Sequence, residues 1–165
     1  MLALGIDPGT AICGYGLVRS EGSRLQAVTH GIVETKAGVP TAQRLQIIFR
    51  EIDSLIKQFK PDLIGVEQLF FNKNVSTAMT VSQARGVILL AVAQNDIELA
   101  EYTPLQVKQA VVGYGKATKE QVIFMTQRLL NMTVKPHPDD AADALAIAIC
   151  SIHSYGMKEK WVRRL

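Results

Sequence analysis

The stretch that most constrains this chain is Leu2-Ala3-Leu4-Gly5-Ile6-Asp7, an apolar run that ends on a carboxylate. Bounded by Pro8 and Gly9, it reads as a strand buried on both faces. An ionised acid among buried aliphatics is costly unless it is paired or holds a cation. Asp-Pro-Gly is also an ordinary turn opener, with the aspartate bonding its own backbone. Which reading applies depends on whether other acids reach the same place.

Glycines and polar turns divide the first forty residues into three strands, expected at 2–6, 14–18 and 27–33. Their links are short, which predicts an antiparallel meander rather than βαβ units. The period then changes. Leu45, Ile48, Phe49, Ile52, Leu55, Ile56 and Phe59 mark an amphipathic helix over 41–60, which Pro61 ends. Residues 63–66 form another buried strand, and it too ends in an acid, Glu67. Further expected elements are a long helix at 76–95, apolar on nearly every face, a strand at 99–102 and a helix at 105–112 opened by Pro104. A helix from the capping box of Thr118 and Gln121 to about 130 and a last helix from 141 to about 155 complete the chain. The order predicts an α/β domain over 1–156, with a mixed five-stranded sheet and helices on both faces, then a basic tail at 157–165.

Hydrophobic residues make up 48% of the 165, and the mean hydropathy is +0.14. That surplus points to heavily buried strands or to an apolar surface used in self-association. Gln83 and Arg85 interrupt the apolar run after Ser76, so no membrane span is expected, and Met1 leads straight into a strand without a signal peptide. Cys13 and Cys150 lack metal-ligand spacing and sit in apolar company, as core thiols of a reducing, cytoplasmic compartment do. The net charge of +3 is compatible with nucleic acid and proves nothing by itself.

Asp7 and Glu67 end strands where loops begin, and ligand sites in open α/β sheets gather outside strand ends. The last helix adds Asp140 and Asp143, three apart and on the face that continues through Ala144 and Ile147. Asp139 and Asp140 read equally as acids that complement a helix N-terminus. Four acids brought together would repel one another and raise their own pKa values unless a cation joined them. With no His or Cys nearby, such ligands suit Mg²⁺ or Mn²⁺ rather than zinc. Two such ions would activate a water and stabilise the leaving oxygen in phosphodiester hydrolysis.

At these residues the chain resembles the RuvC family of Holliday-junction resolvases. The resemblance is carried by Gly5-Ile6-Asp7-Pro8-Gly9 with Gly14-Tyr15-Gly16, Val66-Glu67-Gln68 with Lys73-Asn74, and Gln83-Ala84-Arg85-Gly86. Gln106-Val107-Lys108-Gln109, Val111-Val112-Gly113 and the stretch from Asp140 to Ala148 carry it further, in order, over about 2–153. It implies a ribonuclease H-like fold and a homodimer that cuts four-way DNA junctions symmetrically with Mg²⁺, alongside a branch-migration motor. It maps the family's acids onto Asp7, Glu67, Asp140 and Asp143. Asp139 is an extra acid where a neutral residue is expected, and the Asp140-x-x-Asp143 spacing favours Asp140 as the ligand. Phe71-Asn72 departs from the small or aliphatic pair of that loop.

Lys73, Lys108, Lys116 and Lys119 lie on loops or helix starts around the acids and are candidate phosphate contacts, though each alone is also an ordinary solvated lysine. Lys108 and Lys119 match the family's basic positions. Phe70 and Phe71 are adjacent, so an extended backbone turns at most one inward. A ring left outside can stack on an unpaired base, worth roughly 1–3 kcal/mol. Phe70 takes that role by its match to the family's aromatic. Arg85, on an apolar helix, reads as structural, and Lys158, Lys160, Arg163 and Arg164 as solubilising. The apolar helix at 76–95 gives a reason for dimerisation, because a two-fold contact would cover one of its faces.

Three other readings compete. An ATPase of the actin and sugar-kinase group would need a second domain and a second phosphate hairpin, which 165 residues do not supply. A ribonuclease H-like enzyme acting on RNA shares the metal chemistry. A non-catalytic junction-binding module would keep the basic loops and aromatics but have no use for inward acids.

Overall fold

The computed structural model describes residues 1–68 and 75–162, of which 75–77 and 157–162 are described as backbone alone. The strands are β1 (Leu2–Asp7), β2 (Ile12–Glu21), β3 (Arg24–Glu34), β4 (Leu63–Glu67) and β5 (Glu98–Tyr102). The helices are α1 (Thr41–Phe59), α2 (Val75–Gln94), α3 (Pro104–Val112), α4 (Lys119–Leu129) and α5 (Asp139–Val162). The sheet order is β3-β2-β1-β4-β5, with β3, β2 and β1 antiparallel and β1, β4 and β5 parallel. The meander and the mixed sheet are as the short links predict. β2 and β3 are longer than expected, and α5 runs past the expected end near Tyr155 to Val162.

Alternation along β1 sorts its side chains between two cores. Leu4 and Ile6 pack with Ile48, Ile52 and Ile56 of α1 and with Ala84, Ile88 and Val92 of α2. Ala3 faces the other way, into a core built by α3, α4 and α5 around Leu145, Ile147 and Ile149. Both cysteines are free and buried, and burial pushes their thiols up to about 12 for Cys13 and about 11 for Cys150. They are core thiols.

Ends are fixed locally. Lys60, with φ of 48°, closes α1 by donating its N–H to Ile56 O, and Pro61 follows. Thr118 and Gln121 form the expected capping box of α4, and Thr103 with Gln106 forms a second one at α3.

The seat of α5 positions everything that follows. Gly5 pairs with Gly16 on one side and Gly65 on the other, so a row of glycines crosses three strands. A Cβ on Gly5 would overlap the Ala144 carbonyl and stand 2.5 Å from Ala148 N. On α5 the positions facing Gly5 are themselves small, Ala144 and Ala148. The helix therefore lies on bare strand backbone, closer than side chains would permit.

Candidate active site

Asp7 and Glu67 are the last residues of β1 and β4. The parallel register pairs Ile6 with Val66, so the next step along each strand sets the two acids side by side. Alternation turns both toward the α5 face, as Gly5 and Gly65 are turned. Across β1, Asp7 pairs with Gly14, and a Cβ there would lie 2.6 Å from the Asp140 carbonyl carbon. The first turn of α5 is thus pressed onto the sheet beside Asp7, and Asp143 follows one turn on. Asp139 and Asp140 are inside the first turn of the helix rather than ahead of it.

The four acids feel one another. Asp7 is held well above the ordinary carboxylate range by burial first, then by Glu67, Asp143 and Asp140. Burial, followed by the charge of Asp143, raises Glu67 to about 7, against the opposing pull of Lys108 and Lys119. Asp143 is also raised, by burial, although Lys119 draws it back. The ammonium of Lys119 stands 3.0 Å from Asp143 and 3.5 Å from Asp139. Burial works against its charge, and the two aspartates more than offset it, so its pKa is raised. Glu67, Asp143, Lys108 and Lys119 ring a cavity of about 250 Å³ floored by Val107, Val122 and Ile147.

Among the described residues, no three Asp, Glu, His or Cys side chains stand close enough to hold one ion as placed. Asp143 is turned to Lys119 instead. The donor chemistry nevertheless fits a hard divalent cation. These carboxylates sit where burial and mutual repulsion disfavour charge, and a cation relieves both.

The expected acids Asp7, Glu67, Asp140 and Asp143 are brought together, and Lys108 and Lys119 flank them. Lys116 is exposed on the turn between α3 and α4, outside the cavity lining. Phe70, Phe71 and Lys73 lie outside the described residues. Arg85 pairs with Glu101 of β5, which fits its structural reading. Two features escaped the sequence. One is the contact of Lys119 with Asp139. The other is a buried hydroxyl chain behind the Asp7 turn. There Thr10 Oγ1 donates to Thr80 O at 2.6 Å and Thr35 Oγ1 donates to Thr10 O at 2.6 Å. Arg44 Nε donates to Thr35 Oγ1 at 2.7 Å. The signal for it was faint: threonines in turns are common and a lone arginine on an amphipathic helix usually faces water.

No helix among the described residues is long and apolar enough to cross a membrane. Residues 3–151 match the family model described as crossover junction endodeoxyribonuclease RuvC. The chain is 56% identical over 155 residues to the crossover junction endodeoxyribonuclease RuvC of Syntrophomonas wolfei, covering 94% of this chain and 90% of that one. It is similar to the solved structure of Thermus thermophilus RuvC, with a TM-score of 0.90 at 33% identity over 96% of this chain and 97% of that chain. The T. thermophilus RuvC structure in complex with Holliday junction substrate is similar too, with a TM-score of 0.88 at 31% identity over 95% and 96%.

Proposed function

The chain belongs to the RuvC family of crossover junction endodeoxyribonucleases, and from that premise we propose how its own residues divide the work. It has the family's ribonuclease H-like α/β fold and cuts DNA phosphodiester bonds to resolve Holliday junctions in recombination and repair. As a nuclease of this family it depends on a divalent metal.

Asp7, Glu67, Asp140 and Asp143 are the catalytic acids and would hold the metal, Mg²⁺ with Mn²⁺ as a substitute, at two ions per site. The observation that carries this is the placement of two strand-end acids side by side under the first turn of α5. Bound there, such ions supply an activated water and neutralise the leaving oxygen. The protein's part is to hold desolvated carboxylates whose charge a cation restores. Lys108 and Lys119, at the rim of the cavity, neutralise the phosphates beside the scissile bond. Phe70, Lys73 and Lys116 are assigned to junction contacts, Phe70 by stacking on an unpaired base.

We infer a homodimer. One face of α2 packs on the core through Ala84, Ile88 and Ala91, while Met79, Gln83, Gly86, Leu90 and Ala93 form an exposed stripe at helical spacing. Pairing that stripe with its copy would present two acid clusters to opposed strands, as symmetric cutting requires. A cytoplasmic setting and a branch-migration motor as partner follow from the family resemblance.

The test is nicking of a labelled four-way junction with Mg²⁺, beside linear duplex, an RNA–DNA hybrid and the Asp7→Asn variant. Paired symmetric cuts confined to the junction, lost in the variant, are expected. Cutting of the hybrid alone would move the substrate to RNA. Tight junction binding without cutting in any divalent ion would leave a binding module.

A further inference from the structure

Lys119 is shared between two acids of different fate. Asp143 is two-thirds buried and its charge is felt by Glu67 and Asp7, whereas Asp139 is 53% exposed, beside Lys119 and within charge range of Asp143 and Glu120. Asp139 is absent from the charges that raise Asp7, where Asp140 is present. It therefore stands at the edge of the acid cluster, felt by Asp143 and absent from the charges on Asp7, while touching the cation that leans into it. The shorter contact, 3.0 Å, ties Lys119 to Asp143, and that contact competes with any cation for the same carboxylate.

We propose that Asp139 is a positioning residue that takes the Lys119 ammonium from Asp143 when the metal enters. This rests on the assignment of Asp143 as a metal ligand above. A divalent ion at Asp143 repels a neighbouring ammonium, and Asp139, 3.5 Å away, is the carboxylate already in reach. The lysine then needs only a small swing rather than a full retreat into solvent. It stays at the rim of the cavity, where a substrate phosphate would meet it. The ordinary account of Asp139 is a favourable charge in the first turn of α5. That account involves no lysine, and the difference is measurable.

Titration of the protein alone with Mn²⁺, followed by the EPR signal of the free ion, separates the two. With Asp139→Asn, Lys119 has Asp143 as its remaining partner and the ion must displace it. The expected result is an Mn²⁺ affinity weaker by about tenfold, as for outer-shell partners of metal sites. Asp139→Glu should restore it to within about twofold, and Lys119→Ala should bind at least as tightly as the native protein. In the Lys119→Ala background, Asp139→Asn should add less than about twofold. Junction cutting by Asp139→Asn should recover at high Mg²⁺. Equal losses in both backgrounds would mean that Asp139 acts on the ion itself, and an unchanged affinity in the single variant would show that it does neither. Either overturns the proposal. A native protein that binds no Mn²⁺ would instead overturn the metal-site assignment on which it rests.

Discussion

Gly14 lies beneath Asp140 so closely that any side chain there would occupy the space of the Asp140 carbonyl. The same Gly14 pairs with Asp7 across the antiparallel ladder. One missing side chain thus sets how far the acids of α5 stand from the acid of β1. The row of Gly5, Gly16 and Gly65 extends that seat, with α5 backbone against Gly5 and Gly16 and the Ser151 and Ile147 side chains against Gly65.

Gly14→Ala should therefore cost activity and stability together. The new methyl meets backbone that cannot rotate away, and overpacking of this kind costs about 1–3 kcal/mol. Displacing the first turn of α5 by roughly 1 Å should lower cutting by about 100-fold. Gly156→Ala, at a helical position where, among the described residues, nothing beyond its own stretch of helix lies within 4 Å of the added carbon, is the control and should be neutral or slightly stabilising. Thermal melts and junction nicking on both variants decide it. An active, fully stable Gly14→Ala would mean that α5 is not seated by contact.

Without metal, the protein should lose stability as pH rises from about 5 to 8. Glu67 titrates near 7 in the folded chain against 4.5 in its ordinary state, so between those values the folded form binds the extra proton. Stability from that proton is present at the acid end and lost as pH climbs through the window. Asp7 and Asp143 are raised as well and act in the same direction from lower pH. Allowing for partial exposure, Glu67 alone contributes about 1–2 kcal/mol, or roughly 3–6 °C in Tm. Mg²⁺ at pH 8 should reverse the loss, since it binds the deprotonated acids. Melting curves in EDTA that are flat or rise over this range would show that the acids are not coupled.

The same burial and repulsion predict that Asp7→Asn stabilises the metal-free protein, seen as a higher Tm in EDTA, while abolishing cutting. It removes the most desolvated charge of the cluster and keeps the shape. Junction binding in EDTA, followed by fluorescence anisotropy, should be unchanged or tighter because one negative charge near the phosphates is gone. A destabilised variant would mean that Asp7 holds a structural bond.

Much of this was legible in the residues. Glycines, polar turns and short links gave the three-stranded meander, and the apolar spacing from Leu45 to Phe59 gave α1 within a residue. Asp7 and Glu67 stood out because each ends an apolar run, and a parallel register did the rest. What was not legible depends on distance and not on pattern. Glycines at 5, 14, 16 and 65 look like turn or motif residues until the helix that needs them is in place. Nor does spacing tell which neighbour of Lys119 is nearer, or that Lys116, three residues away, stands outside the cavity. α2 looked apolar all round because its buried and exposed faces are both made of small and aliphatic residues.

The hydroxyl chain behind the Asp7 turn should matter more than its size suggests. Thr35, 4% exposed, bonds the Thr10 carbonyl and receives Arg44 Nε, so Thr35→Val removes a donor and an acceptor at once. A loss of about 1–3 kcal/mol is expected from the groups left unpaired. Thr35→Ser, which keeps the hydroxyl, should recover most of it in urea unfolding. Equal losses for both substitutions would assign the effect to packing of the methyl group.

Gly86 distinguishes a folded protomer from an assembled one. Among the described residues, nothing beyond its own stretch of helix lies within 4 Å of an added Cβ, and the position is exposed in the middle of α2. For an isolated protomer, Gly86→Ala should stabilise by about 0.5–1 kcal/mol, because alanine costs less backbone entropy in a helix. If α2 pairs with its copy, the bare backbone at Gly86 is where the two helices approach most closely, and a larger side chain there forces them apart. Gly86→Leu and Leu90→Asp should then sediment as monomers at micromolar concentration while keeping native circular dichroism. Nicks on the two strands of a junction should become uncoupled in both variants, with the acid cluster itself untouched. Variants that remain dimeric would place the two-fold contact elsewhere. A native protein that is itself monomeric under these conditions would remove the dimer from the account.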